Sequence, residues 1–258
     1  MKKLVIASAL LSALAVTGTA NAYQAEVGAS AGLIDPDNGS SSGSFGVDGT
    51  YYFNPVQTRN APLAEAAFLD RASNVNAKYK YDEVGDDEVH NYGVGAEYFV
   101  PNSDFYLSGN VGRQDVKFKN GSDYDTTLYS AEVGYLPAPG LLIAAGLKGY
   151  DNDNKDGVDP TLRAKYVTTL SNGKDINLEA GAAFGDLDEY NLAADYFIDK
   201  TLSLGADYYS NDLNDNNEFG INARKFFTPQ VSLEGRVGFG EVGNNDYNKF
   251  GVAAKYRF

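Results

Sequence analysis

Beyond residue 23, apolar side chains recur at every second position. Ile176, Leu178, Ala180, Ala182 and Phe184 alternate with Asn177, Glu179, Gly181 and Ala183. Val231, Leu233, Gly235, Val237 and Phe239 alternate with Ser232, Glu234, Arg236 and Gly238. The same period runs through 162–169 and 202–209. A period of two is that of a β-strand with one apolar and one polar face. About fourteen such segments of roughly ten residues follow one another, each the length of a tilted strand that crosses a bilayer.

The connections between them fall into two classes that alternate along the chain. One is polar and acidic, at 35–37, 82–88, 119–125, 151–159, 186–189, 212–218 and 241–246. The other is tight, at 101–103, 137–140, 171–173, 199–200 and 228–230. A meander of antiparallel strands whose two ends meet different surroundings alternates in this way. The seven acidic stretches hold 21 Asp and Glu against Lys119 and Lys155, so the negative charge of the chain is sorted to one end.

Energetics choose the face. Turning the polar parity outward would place Lys165, Glu179, Glu234 and Arg236 in hydrocarbon together. At about 2–4 kcal/mol for each such residue near the midplane, the total of ~10 kcal/mol exceeds the stability of many proteins. The apolar parity therefore faces lipid and the polar parity an interior. Closure into a barrel satisfies the strand edges, the last strand pairing with the first near 24–33.

Residues 1–22 add a leader: Lys2 and Lys3, an apolar run from Leu4 to Val16, and an Ala20-Asn21-Ala22 cleavage site. The expected domains are a signal peptide at 1–22 and a barrel at 23–258. Cysteine is absent, which excludes disulfides and thiolate sites. The formal net charge is −14, and −16 without the two leader lysines, which argues against nucleic acid as a partner.

The chain ends on KFGVAAKYRF, with Phe250, Val252, Ala254, Tyr256 and Phe258 on one parity. An alternating terminal strand closed by Phe258 resembles the insertion signal of Gram-negative outer-membrane barrels. The stretch YYFNPVQTRNAPLAEAAFLDRASNVNAKYKY, and within it PLAEAAFL at 62–69, resembles the family of general bacterial porins. That resemblance implies an all-β, single transmembrane up-and-down barrel in the outer membrane, forming a water-filled channel for passive diffusion. It implies the barrel-assembly machinery as a partner through Tyr256 and Phe258, with lipopolysaccharide and lipid around the wall and small hydrophilic solutes inside. No cofactor is expected, and the sequence leaves monomer or trimer open.

With about fourteen strands (12–16), the interior is wider than the eight-strand barrels that fill with their own side chains, and a narrow water channel is expected. On the interior parity stand Lys78, Lys80, Glu97, Glu132, Lys148, Arg163, Lys165, Glu179, Asp195, Asp207, Arg224, Glu234, Arg236 and Lys255, as candidate pore-lining residues. The connection at 54–73 is long where a short turn is expected. Pro62 suits a first helical turn, and the alanines behind it favour a short helix. Pro62, Leu63, Glu65, Phe68 and Leu69 form a candidate constriction if this segment enters the lumen, and a rim helix if it lies beneath.

Two further chemistries have traces in the sequence. Glu88-Val89-His90 with Asp123 and Asp125 faintly resembles an omptin-type protease, but nothing fixes a general base and water, and His90 is expected at the outer rim. The run 152–157 has the start of a calcium loop, yet Arg163 occupies the position of its bidentate Glu. The expectation is a non-enzymatic channel with mild cation preference, the alternatives being a closed structural or adhesive barrel and an omptin-like protease.

Overall fold

The computed structural model describes residues 22–85, 87–212 and 215–258, so all of the leader except Ala22 lies outside the described residues. Fourteen strands follow in order: β1 (Ala22–Pro36), β2 (Ser42–Gln57), β3 (Asn74–Val84), β4 (Asp87–Phe99), β5 (Phe105–Lys117), β6 (Tyr124–Ala138) and β7 (Leu141–Asn152), then β8 (Asp156–Thr169), β9 (Asp175–Ala183), β10 (Glu189–Asp199), β11 (Leu202–Asn211), β12 (Asn216–Phe226), β13 (Val231–Val242) and β14 (Asn245–Arg257). Each pairs antiparallel with the next, and β1 pairs with β14 from Glu26↔Arg257 to Pro36↔Tyr247, closing the barrel. The closing ladder continues to the last residue, whose carbonyl accepts from the amides of Gln24 and Ala25 at 2.8 and 2.9 Å.

The apolar parity forms the outer face, as the alternation requires. Leu107, Val133, Ile143, Leu162, Leu192, Leu204, Ile221 and Val252 stand exposed on it. Aromatic residues gather at its margins: Tyr98, Phe105, Tyr135, Phe227 and Phe258 toward the tight-turn end, Tyr190, Tyr208, Phe219 and Phe239 toward the other. Two such belts are what membrane interfaces select.

The tight turns at 100–104, 139–140, 170–174, 200–201 and 227–230 share one end. Left-handed backbone at Asn102, Gly140 and Gly173 makes three of them possible. At the opposite end the acidic stretches differ from the loops expected. The strands continue through most of them, so that Asp82 pairs with Val89 and Glu83 with Glu88 beyond Gly85, and Glu241 pairs with Asp246 around 243–244. Gly85 (φ 65°) and Gly243 (φ 61°) allow these tight reversals. Most of these acidic side chains thus sit on strand ends, while Asp37, Asp123, Asp153, Asp186, Asp188, Asp212 and Asp215 stay in the connections.

The connection between β2 and β3 carries a 3-10 turn (Leu63–Glu65) followed by one helical turn, α1 (Ala66–Leu69). It is the helix expected in this stretch, entered from a β2 that runs on to Gln57.

Candidate functional site

Ion pairs between strands that are not neighbours identify the inner face, because only a concave wall brings such side chains together. Arg163 on β8 reaches Glu132 on β6 at 2.7 Å, and Lys148 on β7 reaches Glu189 on β10 at 2.9 Å. Arg236 on β13 pairs with Asp207 on β11 and, at 2.6 Å, with Glu218 on β12. Ladder registers carry this face around the barrel, and all fourteen residues expected on it are there. Lys165 opposes Glu179, Asp207 opposes Gly220, and Arg224 opposes Glu234. Glycine on this wall leaves space for long neighbours: a Cβ at Gly220 would lie 2.3 Å from the Arg236 guanidinium, which crosses that position on its way to Asp207.

The charges are mostly matched. Glu132 holds Arg163 through two guanidinium nitrogens. Lys165 sits between Glu179 at 2.6 Å and Glu65 at 2.8 Å. Arg224 holds Glu234 at 2.6 Å, Lys80 holds Asp82 at 2.6 Å, and Lys255 lies 3.0 Å from Glu26 and 3.6 Å from Asp48. Glu97 is satisfied differently, by the uncharged donors Tyr106 Oη at 2.6 Å and Asn74 Nδ2 at 2.8 Å.

The 58–73 segment crosses the tight-turn mouth inside the wall. Its carbonyl at Leu63 accepts from Arg257 Nη1 at 2.8 Å, and its amide there donates to the Lys200 carbonyl at 2.8 Å. Ala66 is buried with Tyr23, Tyr52 and Val56 near the β1–β2 side. On the far wall Glu65 meets Lys165, whose ammonium lies 5.1 Å from the centre of the Phe68 ring. Phe68 packs on Phe99, Tyr106, Leu136 and Leu142, and Arg71 bonds to Asp104 and the Ser103 carbonyl. Contacts on β14 and on β8, nearly half the barrel apart, place the segment across the opening rather than beneath the rim. A polar chamber of about 410 Å³ lies above it, bounded by Glu97, Arg163, Lys165, Glu179 and Asp195.

Pro62 explains the local geometry: it has no N–H to satisfy, and the following residue can turn at once into the helical region. Sequence reasoning missed the anchors of this segment. Arg257 has the inner parity, which was legible, but no periodicity ties it to a carbonyl 194 positions away.

The two traces of other chemistry do not assemble. His90 lies on the outer parity with Tyr81, its Nδ1 bonded to Tyr79 Oη at 2.9 Å, while Asp125 is paired with Arg113 at 2.7 Å. Asn152 Oδ1 accepts the amides of Asn154 and Lys155, which closes a turn.

A closed barrel with charges inside and apolar residues outside leaves a family to be identified. Residues 1–163 match the family model described as "Putative general bacterial porin". The chain belongs to that family. Among solved structures it is similar to the outer membrane protein Omp33 of Acinetobacter baumannii, with 29% identity and a TM-score of 0.74 over 92% of this chain and 99% of that one. The Pseudomonas putida toluene transporter TodX shares the fold at 7% identity and a TM-score of 0.53, covering 92% of this chain and 89% of its own. A bacterial polysaccharide outer membrane secretin does so at 10% identity and 0.51, covering 92% and 99%. No curated protein sequence matches the chain. This porin is an outer-membrane β-barrel channel.

Proposed function

We propose that this porin passes small hydrophilic solutes and ions by passive diffusion, with mild preference for cations, and that the 58–73 segment sets its narrowest passage. The observation that carries the proposal is the segment's course across the mouth, with a polar chamber lined by charged residues above it. Paired charges keep an interior hydrated without binding any one solute tightly, as diffusion requires. Cation preference is supported by the 21 acidic residues sorted to the far end, which raise the local cation concentration at that entrance. The porin family and barrel fold favour a channel over an enzyme.

Planar-bilayer recordings test this. The expected result is a small ohmic conductance that grows when residues 60–70 are deleted, and a reversal potential in a salt gradient on the cation-selective side. Unchanged conductance in the deletion would remove the constriction. A chloride-selective reversal potential would remove the cation preference.

The anchoring of the segment at several points around the wall also favours a second reading, a closed barrel with a structural or adhesive role. It predicts no conductance in the full chain and conductance only after the deletion. For export, the leader at 1–22 delivers the chain and is removed, so the mature protein begins at Tyr23. For assembly, Tyr256 and Phe258 present the terminal strand to the insertion machinery, their rings stacked with centroids 6.0 Å apart. Lipopolysaccharide and lipid meet the outer wall.

A further inference from the structure

We infer that Asn177, Asp195 and Asn222 form a binding site for one small monovalent cation, an alkali ion or a primary ammonium group, on the wall just above the crossing segment. The inference rests on the proposed solute path only for how the ion arrives.

The three residues lie in one row of the inner face: Asn177 is paired with Asp195, Asp195 with Gly205, and Gly205 with Asn222. Asn177 is 2% exposed. Its Nδ2 donates to Glu179 Oε1 at 2.9 Å and to Asp195 Oδ2 at 3.2 Å. Both partners are carboxylates, which only accept, so the amide cannot be turned around. Its Oδ1 is therefore left buried with nothing donating to it. Asn222 Oδ1 is buried and unpartnered in the same way. Asp195 forms no ion pair among the described residues. Three oxygen-bearing groups thus share one row, and none of them forms an ion pair, the Arg224 charge acting on Asp195 only from a distance.

Two of the groups also converge. Gly205 stands between Asp195 and Asn222, and both side chains lean over it. A Cβ there would lie 2.4 Å from Asp195 Oδ1 and 2.8 Å from each terminal atom of the Asn222 amide. The cationic side chains nearby are engaged elsewhere. Arg224 is held by Glu234, Lys165 by Glu65 and Glu179, and Arg163 by Glu132. Arg236, the neighbour of Asn222 in the row, is drawn to Asp207 and Glu218. Across the chamber Glu97 adds a carboxylate whose donors are neutral.

Charge selects the ligand. Two amide oxygens and one carboxylate carry a single negative charge, which suits a monovalent ion. Tight divalent sites use more carboxylates and six or more oxygens. Among the described residues no group of three acidic or histidine side chains is placed to hold a metal ion. A cation resting here puts positive charge beside the crossing segment at the point where the passage narrows.

Crystals of the full chain in detergent, soaked in rubidium chloride, test the site by anomalous scattering. The expected result is one rubidium peak bridging Asn177 Oδ1, the Asp195 carboxylate and Asn222 Oδ1, lost in Asp195→Asn and in Gly205→Val. Heat-modifiable mobility on gels verifies that each variant is folded, and Asn222→Leu serves where either fails. No peak in the native chain overturns the site, as does a peak that persists in the folded variants. Bilayer recordings on the same protein separate the two proposals. Rubidium bound without any current removes the diffusion path and leaves the site, whereas current without bound rubidium does the reverse.

Discussion

Replacing Arg257 by alanine removes four contacts at the seam where the barrel closes. Its Nε bonds to Glu26 at 2.5 Å, its Nη1 to the Leu63 carbonyl, and its guanidinium carbon lies 4.5 and 4.6 Å from the ring centres of Tyr23 and Phe226. Arg257 and Glu26 are each 6% exposed, so the pair is shielded from water. Breaking a buried pair by deleting one partner costs about 3–5 kcal/mol, because the other charge stays buried. Lys255 remains 3.0 Å from Glu26 and softens that loss, which argues for the lower end. Each ring contact adds about 0.5–2 kcal/mol, bringing the expected total to about 4 kcal/mol. With an m-value of about 3 kcal/mol per molar urea, the unfolding midpoint falls by more than about 1 M. Urea unfolding in detergent, followed by heat-modifiable mobility, measures it. Arg257→Lys should lie between the two, since an ammonium cannot serve Glu26, Leu63 and two rings together. The double change Glu26→Leu with Arg257→Leu should recover part of the loss, because it leaves no buried charge. A midpoint shift under about 0.3 M for Arg257→Ala would refute the account of the seam.

Three other expectations follow. Leu192, exposed on the outer face between Tyr190 and Tyr196, should cost about 2–4 kcal/mol when changed to Arg, whereas Asn191→Arg on the inner face should cost much less by the same unfolding measurement. Gly140 has φ 74°, and a Cβ there would lie 2.2 Å from the Val167 carbonyl oxygen. Gly140→Val should therefore destabilise the tight turn by at least the about 1–3 kcal/mol of a strained backbone, read as a lower unfolding midpoint. Cation preference arising from the acidic end should weaken as salt rises, since the Debye length falls from about 10 Å at 0.1 M to about 3 Å at 1 M. A permeability ratio constant over that range would remove long-range charge as its cause.

What the sequence disclosed follows from which interactions repeat. Alternation made the strands, their faces and the fourteen inner residues legible, because lipid on one side and water on the other impose a period of two at every strand. The acidic stretches misled for the same reason. Beyond the membrane both faces meet water, so Asp82, Glu83 and Glu88 lose the alternation while their backbones keep pairing. Contacts made once leave no period at all. Glu65 meeting Lys165 across the lumen, and Asn177 and Asn222 converging on Asp195, depend on barrel closure and on the absence of a side chain at Gly205.

The ladder joining β1 to β14 has a kinetic consequence. Every other strand pair joins neighbours in sequence, so its formation closes only a short loop or, between β2 and β3, the 58–73 segment. The seam joins residues as far apart as Glu26 and Arg257, and loop-closure entropy places it late in any order of events. Until then the Leu63 carbonyl has no guanidinium to receive, and the strand edges at both ends stand open. The last strand to arrive therefore seals the wall and fixes the crossing segment in a single event, so a curled but unsealed sheet would be the species that accumulates when the terminal strand is damaged.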